Sequence, residues 1–302
     1  MEALEGHLLV VVEDNPTPSQ DIATLLRATQ LETVHLSWED MGDFGPDGWI
    51  FSRRDSAIRS LGFHAAYMSG VELILTLDDD CYPVGSPKAF IEAHKASLGA
   101  SRWTISTTDR TTRGIPYYDR GDGELPVHIN MGGWRGVPDI DAVRTLAGDT
   151  EEIVAWQSRI MPRHQYFPMC GMNLLFRREA TPLMLFPMQG QRPNGKPWGF
   201  GRFDDIWCGL VAKRVADHLG WNVSCGLPVV LHSRASDPMV NIQKEAPGLP
   251  VNEWLWKTID GIKLTATEPA GAVIELGEGL LSHEHEYVRK LGEALQIWGR
   301  LF

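Results

Sequence analysis

Short apolar runs that end abruptly at polar turns set the main constraint on the fold of this chain. Residues 7–12 read HLLVVV, and residues 71–77 form a second run of the same kind. Runs of this length and character are typical of strands buried on both faces. Residues 20–29 and 55–68 repeat apolar positions at helical spacing. The alternation predicts an α/β fold with a mixed, mostly parallel sheet flanked by helices.

The size and composition of the chain favour a single domain. It has 302 residues, of which 43% are hydrophobic and 22% are charged, the balance of an ordinary globular protein. No internal repeat or low-complexity linker interrupts it, so we expect one domain over residues 1–302, with a helical extension at about 250–302. The formal net charge of -11 argues against a nucleic-acid partner.

Separated cysteines and the lack of a long apolar segment favour a cytoplasmic location. Cys81, Cys170, Cys208 and Cys225 form no CxxC pair, so we expect reduced packing residues rather than a zinc knuckle or a disulfide framework. No run approaches the roughly 20 apolar residues of a membrane span, and the acidic N-terminus does not resemble a secretory signal. The sequence leaves the oligomeric state open, a homo-oligomer included.

Three adjacent carboxylates, Asp78, Asp79 and Asp80, follow the second apolar run. Ligands of open α/β sheets bind beyond the carboxyl ends of the strands, and clustered carboxylates repel one another unless a cation compensates them. A hard divalent ion would do so and would also neutralise a diphosphate. We therefore predict metal binding by this acidic triplet. An acidic turn that caps the next helix is the alternative.

A histidine and two basic residues follow a later predicted strand. His232 stands directly after the apolar residues 223–231, and imidazole suits Mn²⁺ better than Ca²⁺. Arg234 and Lys244 lie downstream and are candidates to pair with phosphate oxygens. A structural histidine and ordinary surface charges would explain the same residues.

An acidic pair follows the glycine-rich segment at residues 189–201, whose length is typical of a lid. Asp204 and Asp205 begin a predicted helix, where the helix dipole favours carboxylates. In a functional role, one would act as a base or an electrostatic stabiliser at the reacting carbon. The other would hold a substrate hydroxyl or Arg202. We take these three as the candidate catalytic residues.

The segment FPMCGMN at residues 167–173 places a glycine inside a strand predicted at 166–176. Gly171 there indicates close approach by a ligand or by another backbone. Asn173 is a candidate to bond a ligand hydroxyl, and Trp134 completes this candidate substrate-binding set. A β-bulge in the core is the alternative explanation for Gly171.

Three common fingerprints are absent from the sequence. No G-x-G-x-x-G follows the first predicted strand, no GxxxxGK[ST] occurs, and no G-x-S-x-G is present. We therefore expect no flavin, no phosphate-loop NTPase and no serine hydrolase.

An ordered set of longer motifs resembles the reversibly glycosylated polypeptide family, which includes plant UDP-arabinopyranose mutases. The matching segments cover roughly residues 50–260 and are DSA at 55–57, LDDDC at 77–81, FPMCGMNLLF at 167–176, GRFDDIWCG at 201–209, DHLG at 217–220, GLP at 226–228 and HSRASDPMVNIQKE at 232–245. The resemblance implies a GT-A fold, a Mn²⁺ or Mg²⁺ ion and a UDP-sugar, UDP-arabinose by analogy with the family.

The same resemblance implies roles for individual residues. Asp78, Asp80 and His232 would bind the metal. Asp204 and Asp205 would face the sugar, with Arg202 beside them. The nucleotide and diphosphate would be bound by a wider set, namely Asp14, Asn15, Arg54, Asp55, Asp79, Arg234 and Lys244. The sugar would be bound by Gly171, Asn173 and Trp134.

One stretch departs from the family pattern. Plant members carry an arginine-rich stretch shortly before FPMCGMN, and an arginine there accepts the sugar in self-glycosylation. Residues 149–154 of this chain are acidic and contain no arginine, while Arg144, Arg159 and Arg163 lie out of register. We therefore do not expect self-glycosylation at that position.

The resemblance implies interconversion of UDP-arabinopyranose and UDP-arabinofuranose. A UDP-sugar-dependent glycosyltransferase that acts on an external acceptor or on itself is the first alternative, with residues 110–134 as the acceptor groove. A non-catalytic UDP-sugar binder or assembly subunit is the second. UDP-galactose, UDP-glucose and UDP-xylose are further candidate donors by analogy.

Overall fold

A computed structural model describes residues 6–101, 124–190, 196–234 and 236–302 of the chain. Most of the predicted acceptor groove and the centre of the glycine-rich segment lie outside the described residues. No helix within these ranges is both long enough and apolar enough to cross a lipid bilayer.

The strands in the described part of the chain form two sheets. Their bounds are β1 (Leu8–Val12), β2 (Glu32–Leu36), β3 (Leu73–Leu77), β4 (Cys81–Pro83), β5 (Gly99–Ser101), β6 (Glu124–Gly136), β7 (Arg159–Ile160), β8 (Asn173–Arg177) and β9 (Asn222–His232). β1 and β2 form a parallel pair, and the main sheet has the order β3-β8-β6-β9-β4, with β5 paired to β6 and β7 to β9.

The main sheet is mixed. β6 and β9 run parallel, whereas β8 is antiparallel to β3 and β6, and β4 is antiparallel to β9. Antiparallel pairs outnumber parallel ones among the described strands, because β4 and β8 follow a tight turn and an irregular segment rather than a crossover helix. The predicted mixed α/β class, in the GT-A-like arrangement that the resemblance implies, is confirmed.

Five strand ends meet at one edge of the main sheet. β3, β6 and β9 finish there and β8 and β4 begin there, as the pairs Leu77–Asn173, Gly136–His232 and Cys81–His232 show. We call this edge, formed by these five residues, the sheet rim. Side chains just beyond it come together from distant parts of the sequence.

Helices flank the sheet and build the C-terminal part of the chain. They are α1 (Gln20–Thr29), α2 (Arg59–Met68), α3 (Pro87–Ala96), α4 (Ala142–Leu146), α5 (Asp204–Leu219), α6 (Pro238–Glu245), α7 (Leu249–Asp260), α8 (Pro269–Leu280) and α9 (Glu286–Gly299), with 3-10 segments at Glu39–Ile50, Ser56–Ile58 and Arg178–Leu183.

Local sequence signals explain where two helices begin and end. The Ser19 hydroxyl accepts a hydrogen bond from the N–H of Ile22 and caps α1, as its position predicted. Gly220 ends α5 at φ 73°, a left-handed conformation that glycine adopts without strain.

Two predicted elements differ from the structure. The glycine and aspartate content of residues 41–48 predicts a loop, but these residues lie within the 3-10 segment Glu39–Ile50. The strand predicted at 166–176 begins only at Asn173. The reason is that the N–H groups of Cys170 and Gly171 donate to side chains rather than to a neighbouring strand.

One hydrophobic cluster joins the sheet to the C-terminal helices. It contains Ile129 and Phe176 of the sheet, Trp207 of α5 and Trp298 of α9, all fully buried. The indole N–H of Trp298 donates to the carbonyl of Pro182 at 2.9 Å. Helices α7 to α9 therefore help to complete the core.

Helices α8 and α9 pack too closely at Gly292 for any side chain. A Cβ there would lie 2.6 Å from the carbonyl oxygen of Gly277 and 3.0 Å from the Cβ of Leu280. We expect Gly292→Ala to lower the free energy of unfolding by about 1–3 kcal/mol, because the two helices must separate. Urea denaturation measures this change.

The matched control is Gly271→Ala in α8, where the nearest atom to the new Cβ is the Cβ of Ala266 at 3.1 Å. We expect that variant to stay within about 1 kcal/mol of the wild type, because the better helix propensity of alanine offsets the tighter contact. Equal stability of the two variants would contradict close helix packing at Gly292.

Candidate active site

The three carboxylates of the acidic triplet occupy different environments. Asp78 Oδ1 accepts a 2.7 Å hydrogen bond from the guanidinium of Arg59. The Asp79 side chain is 83% exposed, whereas that of Asp80 is 15% exposed. Cys81 pairs with His232 at the end of β9. Asp80 directly precedes Cys81, so of the three carboxylates it is the one placed close to the end of that strand.

His232, the last residue of β9, faces Asp80. Its Nδ1 lies 2.8 Å from the carbonyl oxygen of Val137 and donates to it. This bond fixes the ring tautomer and leaves the lone pair on Nε2. Nε2 lies 3.8 Å from Asp80 Oδ2. The structure therefore brings Asp80 together with a histidine that is far away in sequence.

The predicted three-residue metal set is only partly assembled. Asp78 is held by Arg59, and among the described residues no three Cys, His, Asp or Glu side chains converge as a metal site. In this structure Asp78 is the ion-pair partner of Arg59, and its role as a metal ligand stays a prediction. Asp80 and His232 still fit one side of a coordination sphere whose other positions diphosphate oxygens and water commonly fill.

The two basic residues predicted for the diphosphate lie in different places. Arg234 Nη2 lies 3.1 Å from Asp80 Oδ2 and 3.3 Å from Asp79 Oδ1, and its side chain is 67% exposed. Lys244 is exposed on α6, and its carbonyl accepts the N–H of Gly201 at 2.9 Å. Arg234 therefore belongs to the rim, whereas Lys244 borders the glycine-rich segment.

An arginine outside the predicted site residues lies behind the acidic triplet. Arg59 begins α2, and its side chain is 18% exposed. It donates to Asp78 and, through Nη1, to the carbonyl of Gly171 at 2.9 Å. No sequence signal singles it out, because its partners Asp78 and Gly171 are distant in the chain.

The acidic pair at the start of α5 faces two different groups. Asp204 is 4% exposed and accepts a hydrogen bond from the Ser56 hydroxyl. Asp205 is less buried, and its Oδ2 accepts the N–H of Gly171 at 3.1 Å. Of the two, Asp205 is the carboxyl better placed to meet a ligand.

Arg202 does not pair with this acidic pair, in contrast to one of our predictions. Its Nε donates to Glu245 Oε1 at 2.7 Å. The other oxygen of Glu245 accepts the N–H of Ala142 at 2.8 Å. The structure places the Arg202 guanidinium against α6, and its catalytic role stays a prediction.

Burial shifts the proton affinity of the acidic pair. Burial first, and then the charges of Asp204 and Asp139, raise the pKa of Asp205 to about 8, against the opposing effects of the Gly171 N–H and Arg59. Burial also raises the pKa of Asp204. The pKa of Asp205 is therefore raised toward neutral pH, which suits a group that exchanges a proton with a ligand.

Asn173 is a structural residue rather than a sugar ligand. It is 0% exposed, and its Nδ2 donates to the carbonyls of Gly133 and Pro228 at 3.0 and 2.9 Å. Its Oδ1 accepts from His94 Nε2 at 2.8 Å. We correct this prediction because every polar atom of the amide already has a protein partner.

The other two predicted sugar-binding residues lie near the rim. Gly171 lies between Arg59 and Asp205. Trp134 stacks edge-on against Trp156 at 4.8 Å. The buried Trp134 Nε1 finds no hydrogen-bond acceptor among the described residues.

Asp55 is used to hold the backbone. Its Oδ2 accepts from the N–H groups of Gln189 and Gly190 at 2.9 and 2.5 Å and from the Ser52 hydroxyl at 2.6 Å, and its Oδ1 accepts the N–H of Ala57. Burial, followed by the charge of Asp204, raises its pKa to about 6. Protein donors occupy both of its oxygens in this structure, and its nucleotide role stays a prediction.

The remaining predicted nucleotide residues gather beyond β1. Asp14 Oδ1 accepts from the indole N–H of Trp38 at 2.7 Å and from the N–H of Arg54 at 2.9 Å. The Asn15 amide donates to Glu13 at 3.1 Å. Asp14, Asn15 and Arg54 are exposed, so their side chains are accessible to a ligand.

Comparison with known proteins gives the family. The model of the reversibly glycosylated polypeptide family matches residues 105–302. "Probable UDP-arabinopyranose mutase 1" of Pisum sativum is 33% identical over 276 residues, which cover 84% of this chain and 73% of that protein. "UDP-arabinopyranose mutase 1" of Arabidopsis thaliana is 34% identical over 317 aligned residues, which cover 98% of this chain and 85% of that protein. This chain belongs to the reversibly glycosylated polypeptide family. The resemblance seen in the motifs is confirmed.

The stretch that departs from the pattern of the reversibly glycosylated polypeptides contacts the rim. Glu152 Oε1 accepts the N–H of Gly136, at the end of β6, at 3.0 Å. Asp149 forms an ion pair with Arg144. Two acidic side chains of this stretch therefore hold local backbone and a neighbouring helix.

The raised pKa of Asp205 predicts a pH dependence of stability. The folded chain keeps this proton up to about pH 8, whereas an unfolded aspartate loses it near pH 4. Between these values the folded state binds more protons, so this carboxyl lowers stability as pH rises, by at most about 1.4 kcal/mol per pH unit. We expect Asp205→Asn to lose less stability than the wild type between pH 5 and 8.

Urea unfolding at several pH values measures this difference. Asp21→Asn, at an exposed aspartate of α1, is the control and should follow the wild-type curve. Parallel curves for Asp205→Asn and the wild type would contradict a protonated Asp205 in this family member.

Proposed function

We propose that this chain interconverts UDP-arabinopyranose and UDP-arabinofuranose at the sheet rim. The relatives that align with 84% and 98% of the chain are named for this reaction. One arrangement at the rim carries the proposal. Asp80, His232 and Arg234 lie close together, which supports binding of a metal-bound diphosphate. Asp205, whose pKa is raised, accepts the N–H of Gly171, which supports a role beside the sugar.

The diphosphate end consists of a carboxylate, an imidazole and a guanidinium. We propose that Asp80 Oδ2 and His232 Nε2 bind Mn²⁺ or Mg²⁺, since one or two protein donors together with substrate phosphates are common in such sites. The ion would neutralise charge on the departing UDP. The exposed Arg234 side chain would turn to a phosphate oxygen.

The sugar end needs a group that both gives and takes a proton. The C1–O bond to UDP breaks, and its electron pair stays on the diphosphate. O4 then bonds to C1 and loses its proton, the C1–O5 bond opens, O5 takes a proton, and UDP bonds to C1 again. We propose that Asp205 gives its proton to O5 as the C1–O5 bond opens and takes the proton that O4 loses, and its pKa of about 8 suits both transfers.

The glycine-rich segment would exclude water, whose attack at C1 would give hydrolysis. Asp55 binds the N–H groups of Gln189 and Gly190 at its first end. Gln189 Oε1 accepts the N–H of Phe203 at 2.9 Å and so joins its two ends. Residues 191–195 lie outside the described residues. The contacts of Asp55 and Gln189, which hold the two ends of the segment, are therefore the support for a lid.

A product assay tests the function directly. The protein is incubated with UDP-arabinopyranose and Mn²⁺, and the nucleotide sugars are separated by chromatography. We expect furanose product without any acceptor. Turnover only after an acceptor is added would favour the transferase, and metal-dependent binding of an unchanged UDP-sugar would favour the non-catalytic binder. UDP-glucose, UDP-galactose and UDP-xylose in parallel reactions test the identity of the sugar.

Removal of the Asp80 carboxylate should abolish metal-dependent nucleotide binding. In calorimetric titrations with UDP, Mn²⁺ should tighten binding to the wild type and have no effect on Asp80→Ala, because one of two protein ligands is missing. Asp21→Asn should keep the wild-type response. An unchanged effect of Mn²⁺ on the UDP affinity of Asp80→Ala would reject Asp80 as a ligand.

Replacement of the Asp205 proton carrier should affect turnover rather than binding. We expect Asp205→Asn to lower kcat about 10²–10⁴-fold, the usual contribution of a positioned acid or base. The affinity for UDP should change little, because Asp80, His232 and Arg234 remain. Wild-type kcat in this variant would remove Asp205 from the chemistry.

A further inference from the structure

Arg59 connects the two ends of the candidate active site. It begins α2, on the inner side of the rim, behind both the acidic triplet and the Gly171 backbone. We infer that Arg59 is a positioning residue that links the Asp78 carboxylate to the Gly171 peptide and thereby fixes Asp205 for the sugar. This inference rests on the proposed function.

The geometry gives Arg59 two separate anchor points. Nη2 donates to Asp78 Oδ1 at 2.7 Å, and Nη1 donates to the carbonyl oxygen of Gly171 at 2.9 Å. Nε donates to the Ser56 carbonyl at 3.1 Å, and the guanidinium carbon lies 5.4 Å from the centre of the Phe186 ring. The planar group is therefore held in one orientation by donors on all three nitrogens and by an aromatic face.

The Gly171 residue is held from both sides. Its carbonyl accepts from Arg59, and its N–H donates to Asp205 Oδ2 at 3.1 Å. A Cβ at this position would lie 2.8 Å from the Phe186 ring and 3.0 Å from Arg59 Nη1. Glycine is required because the guanidinium and the ring fill the space of a side chain, so Gly171 transmits the position of Arg59 to Asp205.

The charge of Arg59 opposes the effect of burial on Asp205. Charged and titratable groups reach this carboxyl from several elements, namely Asp204 on α5, Asp139 after β6, Arg59 on α2 and the Cys170 thiol beside Gly171. Among them Arg59 is the cation, and it lowers a pKa that burial, Asp204 and Asp139 raise. Loss of its charge should therefore raise the pKa of Asp205.

Lysine cannot replace Arg59 in this position. Its ammonium group is a single point charge, whereas Asp78 and the Gly171 carbonyl are bound by different nitrogens of one planar group. Arg59→Lys therefore keeps the charge and removes the link. Arg59→Gln removes both, so the two variants separate charge from geometry.

Kinetics test the link. We expect Arg59→Lys to lower kcat about 10–100-fold, the effect of a small misplacement of a reacting group, with UDP affinity near that of the wild type. Arg178→Lys is the matched control, because Arg178 also binds a backbone carbonyl, that of Tyr67 at 3.0 Å, and lies over an aromatic ring. Wild-type kcat in Arg59→Lys, or an equal loss in Arg178→Lys, would overturn the link.

Nuclear magnetic resonance tests the same link without any assay of activity. The chain has three Cys–Gly pairs, at 170–171, 208–209 and 225–226. In protein labelled with carbonyl-¹³C cysteine and ¹⁵N glycine, a carbonyl–amide correlation spectrum therefore shows the Gly171 amide together with those of Gly209 and Gly226. The Gly171 signal should titrate near pH 8 in the wild type, because this N–H donates to Asp205. Gly226, on β9, serves as the internal control.

The titration midpoint of Gly171 should move to higher pH in Arg59→Gln and should move less in Arg59→Lys. An unchanged midpoint in Arg59→Gln overturns the inference. If Arg59→Gln does not fold, Arg59→Gln/Asp78→Asn replaces it, because removing both charges avoids an unpaired buried carboxylate. A shifted midpoint without furanose product in the wild type would reject the proposed function and keep the link.

Discussion

The buried amide of Asn173 is the interaction on which the geometry of the site depends. It connects the start of β8 to Gly133 of β6, Pro228 of β9 and His94 of α3. His94 in turn accepts from Asn130, which accepts from Ser224 at 2.6 Å. Burial lowers the pKa of His94 to about 4, so the neutral ring both donates and accepts. A lost partner would leave a buried polar group unsatisfied, at a cost of about 1–3 kcal/mol, so these strand ends stay together.

The rim separates two electrostatic environments. Asp79 and Arg234 are largely exposed, so water screens their charges. Asp204 is almost fully excluded from water, and the lower local dielectric makes each neighbouring charge matter more for the acidic pair. The exposed end is suited to binding a soluble anion, and the buried end is suited to controlling the position of one proton. The Arg59 side chain contacts both environments, because it binds Asp78 at the rim and the Gly171 carbonyl beside Asp205.

The sequence predicted the fold class and the family. It could also place Asp80 and His232 at strand ends, because apolar runs reveal where strands finish.

The sequence could not show which side-chain oxygens are already occupied by protein donors. Asp78, Asp55 and Asn173 have the same residue types as ligands, but long-range partners such as Arg59, Gln189 and His94 bind them. Such partners are set by tertiary packing, and neither spacing nor periodicity encodes them locally. Arg59 was missed for the same reason.

The hydrogen bond from the Phe203 N–H to Gln189 affects how members of the family can differ in sequence. Since Asp55 and Gln189 fix both attachment points of the intervening chain, substitutions or insertions at residues 191–195 need not disturb the framework. A longer connection adds only a slowly growing closure entropy, about 0.6 kcal/mol per doubling of length. Family members can therefore differ in the length of this connection while Asp55, Gln189 and Phe203 keep the same contacts.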